Sequence, residues 1–109
     1  MALDLPAPVA NYFATEDNND LDGLSRCYTA EAVVRDEGRT IVGPAAIKAW
    51  MVEAKRKYQH TTVPLHAAPA GDGALVVSVQ VSGNFPNSPV TLKHAFHVSD
   101  RKISSLEIR

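Results

Sequence analysis

The sequence holds a single cysteine, Cys27, so no disulfide can form within the chain, and the composition suits a reducing compartment. Neither sign of charge is in excess, with 11 basic against 12 acidic residues and a formal net charge of −1. A nucleic-acid surface needs a clustered basic face, which this even mixture excludes. No apolar run is long enough to cross a membrane. The opening "MALDLPAPVA" has no basic segment leading into an apolar run, so no signal peptide is expected. These features predict a soluble cytoplasmic protein without partners among nucleic acids or membranes.

Known chemical signatures are also missing. There is no GxSxG elbow, Walker loop, GxGxxG turn or CxxC pair, and no internal repeat or low-complexity tract. His60 and His66 are six residues apart, roughly 20 Å along an extended strand, too far to share a metal. No metal and no cofactor is expected. Cys27 has no local activating neighbour and reads as a small buried hydrophobe.

What is present is an ordinary globular mixture, 45% hydrophobic and 21% charged over 109 residues, enough for one domain spanning 1–109. Leu5, Val9, Tyr12 and Phe13 recur at helical spacing, with Pro6 and Pro8 near the first turn where a missing N–H matters least. "DNND" interrupts this helix, and Asp20 is placed to cap a short second one carrying Leu21, Leu24 and Tyr28 on one side. "EAVVRD" and "RTIV" flank Glu37-Gly38, a hairpin turn with Gly38 at the positive-φ position. Gly43-Pro44 opens a third helix, whose apolar side holds Ile47, Trp50, Met51, Ala54 and Tyr58. Lys55, Arg56 and Lys57 in its last turns read as a solvated, dipole-complementing end.

From His60 onward the period becomes two. Pro64 marks the first long strand as an edge or a bulge. Leu75, Val77, Val79 and Val81 share one face of the next strand. Along "PVTLKHAFHVS" the residues Val90, Leu92, His94, Phe96 and Val98 share the apolar face, which turns His94 inward and His97 outward. A turn at Asp100-Arg101 leads to the last strand. Helices followed by strands predict an α+β fold, with three N-terminal helices packed on a curved, mainly antiparallel sheet. "GNFPNSPV" exposes Phe85 beside two prolines, as a stiff surface turn or as a lip over a pocket.

Three polar side chains from three separate elements point toward one interior: Tyr12 on the first helix, Asp36 in step with Val34, and His94. Each has a bland reading, as a ring-packed phenol, a turn aspartate or a satisfied core histidine. Their convergence is what suggests a site.

The first half of the chain then becomes recognisable. A Tyr-bearing first helix, "DLDGL", the strand "YTAEAVV-D" and "G-AAI--W" opening the third helix resemble the nuclear transport factor 2-like superfamily, closest to its SnoaL-like polyketide cyclases and ketosteroid isomerases. The resemblance implies a cone-shaped α+β barrel, a homodimer, and an apolar pocket open at one end for a small apolar molecule. It also implies that Tyr12 donates a hydrogen bond to a substrate oxyanion and that Asp36 shuttles the proton. Where ketosteroid isomerases place a second donor, a protonated aspartic acid, this sequence has His94. Val34, Trp50, Val79, Leu92 and Phe96 are the expected pocket walls. Two functions follow: an isomerase- or cyclase-type enzyme with Asp36, Tyr12 and His94 as catalytic residues, or a non-catalytic module for ligand binding or dimerisation. A third, hydrolysis with Asp36 orienting water, needs another charged partner deep in the pocket. Arg35 and Glu37 have the wrong strand parity to supply it.

Overall fold

The computed structural model describes residues 4–36 and 38–109. Met1–Leu3 and Glu37 lie outside the described residues, and with them the start of the chain and one residue of the first hairpin turn. Helix α1, Ala7–Asp17, begins after Pro6 and carries Pro8 in its first turn, so both prolines sit where no helical N–H is lost. Helix α2, Leu21–Ser25, is a single short turn whose Asp20 cap accepts from the Gly23 N–H at 3.0 Å. Tyr28 departs from expectation. The chain leaves the helix after Ser25, so Tyr28 opens strand β1, Tyr28–Asp36, instead of extending α2.

Strand β2, Arg39–Val42, pairs antiparallel with β1 across the turn in which Gly38 takes φ +77°. Helix α3, Pro44–Tyr58, follows Gly43 with proline at its first position. It ends at Gln59 in the left-handed region, φ +49°, which bends the chain sharply into strand β3, Thr61–Pro69. Strands β4, Leu75–Ser82, β5, Val90–Ser99, and β6, Lys102–Ile108, complete the sheet.

The spatial order is β2-β1-β6-β5-β4-β3, antiparallel except for the parallel β1–β6 pair. The sheet curves without closing, leaving β2 and β3 as edges, and the three helices pack on one face. Pro64 lies on the edge strand beside a register shift between Pro64 and His66, where a missing donor is tolerated. A shift between His97 and Val98 leaves Ser104 of β6 as the extra residue, so Ile103 and Leu106 both turn inward although they are three residues apart. Val98 pairs with buried Ile103 and so keeps the face that alternation predicts, but one residue from the end of β5 it is 42% exposed. Val9, Tyr12, Phe13, Leu24, Ile47 and Met51 from the helices meet Val34, Val77, Phe96 and Leu106 from the sheet in one core. No helix among the described residues is long and apolar enough to cross a membrane.

Candidate functional site

One row of the sheet positions the site. Asp36 on β1 and His94 on β5 both stand opposite Ile108 of β6, so β6 is the only strand between them. The next row inward is Val34, Leu106 and Phe96, and it is solid core. Above the first row lies a cavity of about 300 Å³, lined by Tyr12, Asp36 and His94 and walled by Trp50, Met51 and Leu92 among others. Of the expected wall residues, Trp50 and Leu92 are among those that line it. Val34, Val79 and Phe96 do not line the cavity and belong to the packed interior. For Val34 and Phe96 the cause is depth: they sit one strand period below the Asp36–His94 row, in a layer closed by α1 aromatics. The Tyr12 and Phe96 rings meet edge to face at 5.4 Å.

Tyr12 reaches the cavity because it falls on the buried stripe of α1, between Val9 and Glu16. It is 1% exposed, with ring contacts to Phe13, Tyr28 and Phe96 and to His94 at 6.5 Å. Burial, and then the nearby Tyr28, Glu16 and Asp36, push its phenol well above the ordinary range, so it stays protonated as a donor. His94 is 3% exposed, and burial pulls its imidazole down to about 4, with Glu16 opposing that pull and His60 adding to it. At neutral pH it is an uncharged ring with one donor and one acceptor nitrogen. Its Nδ1 is buried and has no hydrogen-bond partner among the described residues. Asp36 is partly buried at the end of β1.

Behind one end of the cavity, where His60 and Thr62 line it, lies a buried charged cluster that sequence reasoning missed. Glu16, one helical turn after Tyr12, is fully buried. Its Oε1 lies 2.7 Å from Lys55 Nζ and 3.3 Å from His60 Nε2, and its Oε2 accepts from the Thr62 hydroxyl. Neither nitrogen meets Oε1 at the angle of a hydrogen bond, so the Lys55 contact is an ion pair and the His60 contact is a close approach of its ring nitrogen. Burial disfavours the Glu16 carboxylate, but His60, Lys55 and Thr62 together outweigh it and hold it below the usual range. Lys55 is therefore no solvated helix end, since its ammonium turns inward to Glu16 and to the His60 carbonyl at 2.9 Å. His60 precedes β3 and lines the cavity, while His66 is exposed beyond the Pro64 shift. Phe85 also lines the cavity, edge-on to Tyr58 with ring centres 6.0 Å apart, as a lip would be. Among the described residues no three His, Cys, Asp or Glu side chains gather in a way that could hold a metal.

This arrangement can be set beside known proteins. The SnoaL-like domain model matches residues 9–106. The chain belongs to the SnoaL-like family. Among solved structures, a "putative polyketide cyclase" from Sinorhizobium meliloti is 42% identical, covering 97% of this chain and 96% of that one, with a TM-score of 0.92. A ketosteroid isomerase-like fold from Catenulispora acidiphila, in complex with trimethylamine, is 17% identical over 97% and 86% of the two chains, TM-score 0.82. An epoxide hydrolase/cyclase-like enzyme of pyran ring formation in the polyether salinomycin is 21% identical over 94% and 86%, TM-score 0.78. The latter two show the shared fold alone. Comparison with curated proteins returns no match. The SnoaL-like assignment carries the α+β architecture of helices on an open curved sheet, and it leaves the chemistry to the side chains.

Proposed function

We propose that this SnoaL-like protein is a small-molecule enzyme of isomerase or cyclase type, moving a proton on an apolar carbonyl compound bound in the cavity. The observation that carries this reading is the Nδ1 of buried His94, without a hydrogen-bond partner among the described residues, in a cavity wall shared with Tyr12 and Asp36. A buried polar atom without a partner costs stability unless something else supplies the hydrogen bond. A bound carbonyl or enol group is one such supplier.

In this mechanism Asp36 takes a proton from the carbon next to the carbonyl. Tyr12 and neutral His94 donate to the oxygen on which negative charge develops. A well-placed base is worth on the order of 10²–10⁴ in rate, and loss of one oxyanion donor costs about 10²–10³. Trp50, Met51 and Leu92 keep water from the reacting atoms, which strengthens each electrostatic contribution. The same reading takes the chain to work as a homodimer, and a solution mass of twice the monomer tests that part.

Hydrogen–deuterium exchange at the acidic CH₂ of 2-tetralone, followed by NMR in D₂O, tests the chemistry. Exchange faster than in buffer, reduced about 10²–10⁴-fold by Asp36→Asn, is expected. Binding of the ketone without accelerated exchange would instead select the non-catalytic ligand-binding module. One observation favours hydrolysis as the second reading: Glu16, Lys55 and His60 form a charged cluster beside the cavity.

A further inference from the structure

The cavity has a second polar end that the proton transfer above leaves unused. Tyr58, His60 and Thr62 lie along it, together with Val81 and Phe85. Thr62 is on β3 and Asp36 on β1, four strand positions apart, or roughly 19 Å counted across the strands alone. A ligand that reaches from one end to the other therefore meets two separate polar groups with apolar walls between them.

His60 is the group best prepared to contact such a ligand. Its side chain is 13% exposed and its Nε2 faces Glu16 Oε1 at 3.3 Å. Glu16 is itself clamped by Lys55 and Thr62, so the imidazole is positioned from beneath by a fixed anion. A lone pair on Nε2 would face this anion at 3.3 Å and be repelled by it, so the neutral ring carries its hydrogen on Nε2 and a lone pair on Nδ1. Among the described residues Nδ1 has no hydrogen-bond partner, yet His60 lines the cavity.

We propose that His60 accepts a hydrogen bond from a hydroxyl group of the ligand, which makes the ligand an apolar carbonyl compound with an alcohol or phenol at the end away from the reacting carbonyl. The inference rests on the cavity being the ligand site. It adds a recognition role for His60, with Glu16 as its positioning residue, and gives the charged cluster a purpose beyond packing.

Two measurements test it. Nitrogen-15 correlation spectra of the wild-type imidazoles, at about pH 8 where an ordinary histidine is neutral, should show the His60 hydrogen on Nε2. Hydrogen on Nδ1 overturns the proposal without any variant being made. Next, 4-methylphenol and its ether 4-methylanisole are titrated into wild-type protein and His60→Phe. The ratio of phenol to ether affinity should fall about tenfold in the variant, the loss of roughly one hydrogen bond. Movement of the His94 ring signals shows that a probe fills the cavity. A filled cavity with an unchanged ratio overturns the His60 inference alone. Failure of both probes to bind or to move His94 overturns it together with the reading of the cavity as a ligand site.

Discussion

Lys55 Nζ and Glu16 Oε1 meet 2.7 Å apart inside the protein, with side chains 12% and 0% exposed. They join the end of α3 to the end of α1 beneath the cavity. Removing one partner of a buried pair strands the other charge and typically costs about 3–5 kcal/mol. Glu16→Ala is therefore expected to lose that much in denaturant unfolding. Replacing Glu16 and Lys55 together by apolar residues should recover most of it. A Glu16→Ala loss below about 1 kcal/mol would show that water already reaches the pair.

His94 sets an acid limit on stability. Its imidazole sits near 4 in the folded protein against 6.5 ordinarily, so the unfolded chain binds the extra proton first. Stability is fully present above 6.5 and declines as pH falls toward 4, by roughly 3 kcal/mol in all. Glu16 acts lower: its depressed pKa gives stability that is lost only as pH falls through the folded value, below its ordinary 4.5. Unfolding curves across this range should show the His94 segment first, and His94→Phe should remove that segment alone.

Much of this was legible in the residues. Helical spacing put Tyr12 on a buried stripe, strict alternation turned His94 inward, and the Gly38 turn ended β1 at Asp36. Glu16 was not seen, although Val9, Tyr12, Phe13 and Glu16 share one stripe, and a carboxylate in an apolar stripe is itself a signal. Lys55 stands four residues after Met51, again on the inward side, but a run of three basic residues at a helix end looks like solvated surface. Val34 and Phe96 were given the right face and the wrong depth, because alternation tells which side of a sheet a residue is on and not how far the helices fill it. Val98 keeps its face opposite buried Ile103 yet is exposed, because alternation does not tell where a strand runs past the end of the core.

Tyr28 offers a gain. Its ring is 2% exposed and its hydroxyl is buried without a hydrogen-bond partner among the described residues. An unsatisfied buried hydroxyl costs about 1–3 kcal/mol. Tyr28→Phe keeps the ring and should raise unfolding stability by about 1 kcal/mol. A loss of stability instead would place an ordered water on the hydroxyl.

Gly83 holds the cavity's far end in place. A methyl group there would meet the Tyr58 carbonyl oxygen at 2.7 Å and His60 Cα at 3.0 Å, both backbone atoms that cannot swing aside. The Asn84 N–H donates to that same carbonyl at 2.7 Å. Gly83→Ala is expected to cost about 1–3 kcal/mol and to shift the His60 ring signals, with those of Asp36 little changed. Unmoved His60 signals would mean that the junction after α3 yields freely.

Strand β6 comes last in sequence among the six and yet lies between β1 and β5. Until it docks, the sheet exists as two fragments, a β1–β2 hairpin and a β3–β4–β5 meander, with no edge in common. Asp36 belongs to the first fragment and His94 to the second, and each takes its place against Ile108. Such non-local closure is slow, because the chain must bring distant segments together before any contact rewards it. The two groups are strangers until β6 has taken its place between them. The Asp36–His94 wall of the cavity is thus made by the same docking event that joins the two halves of the sheet.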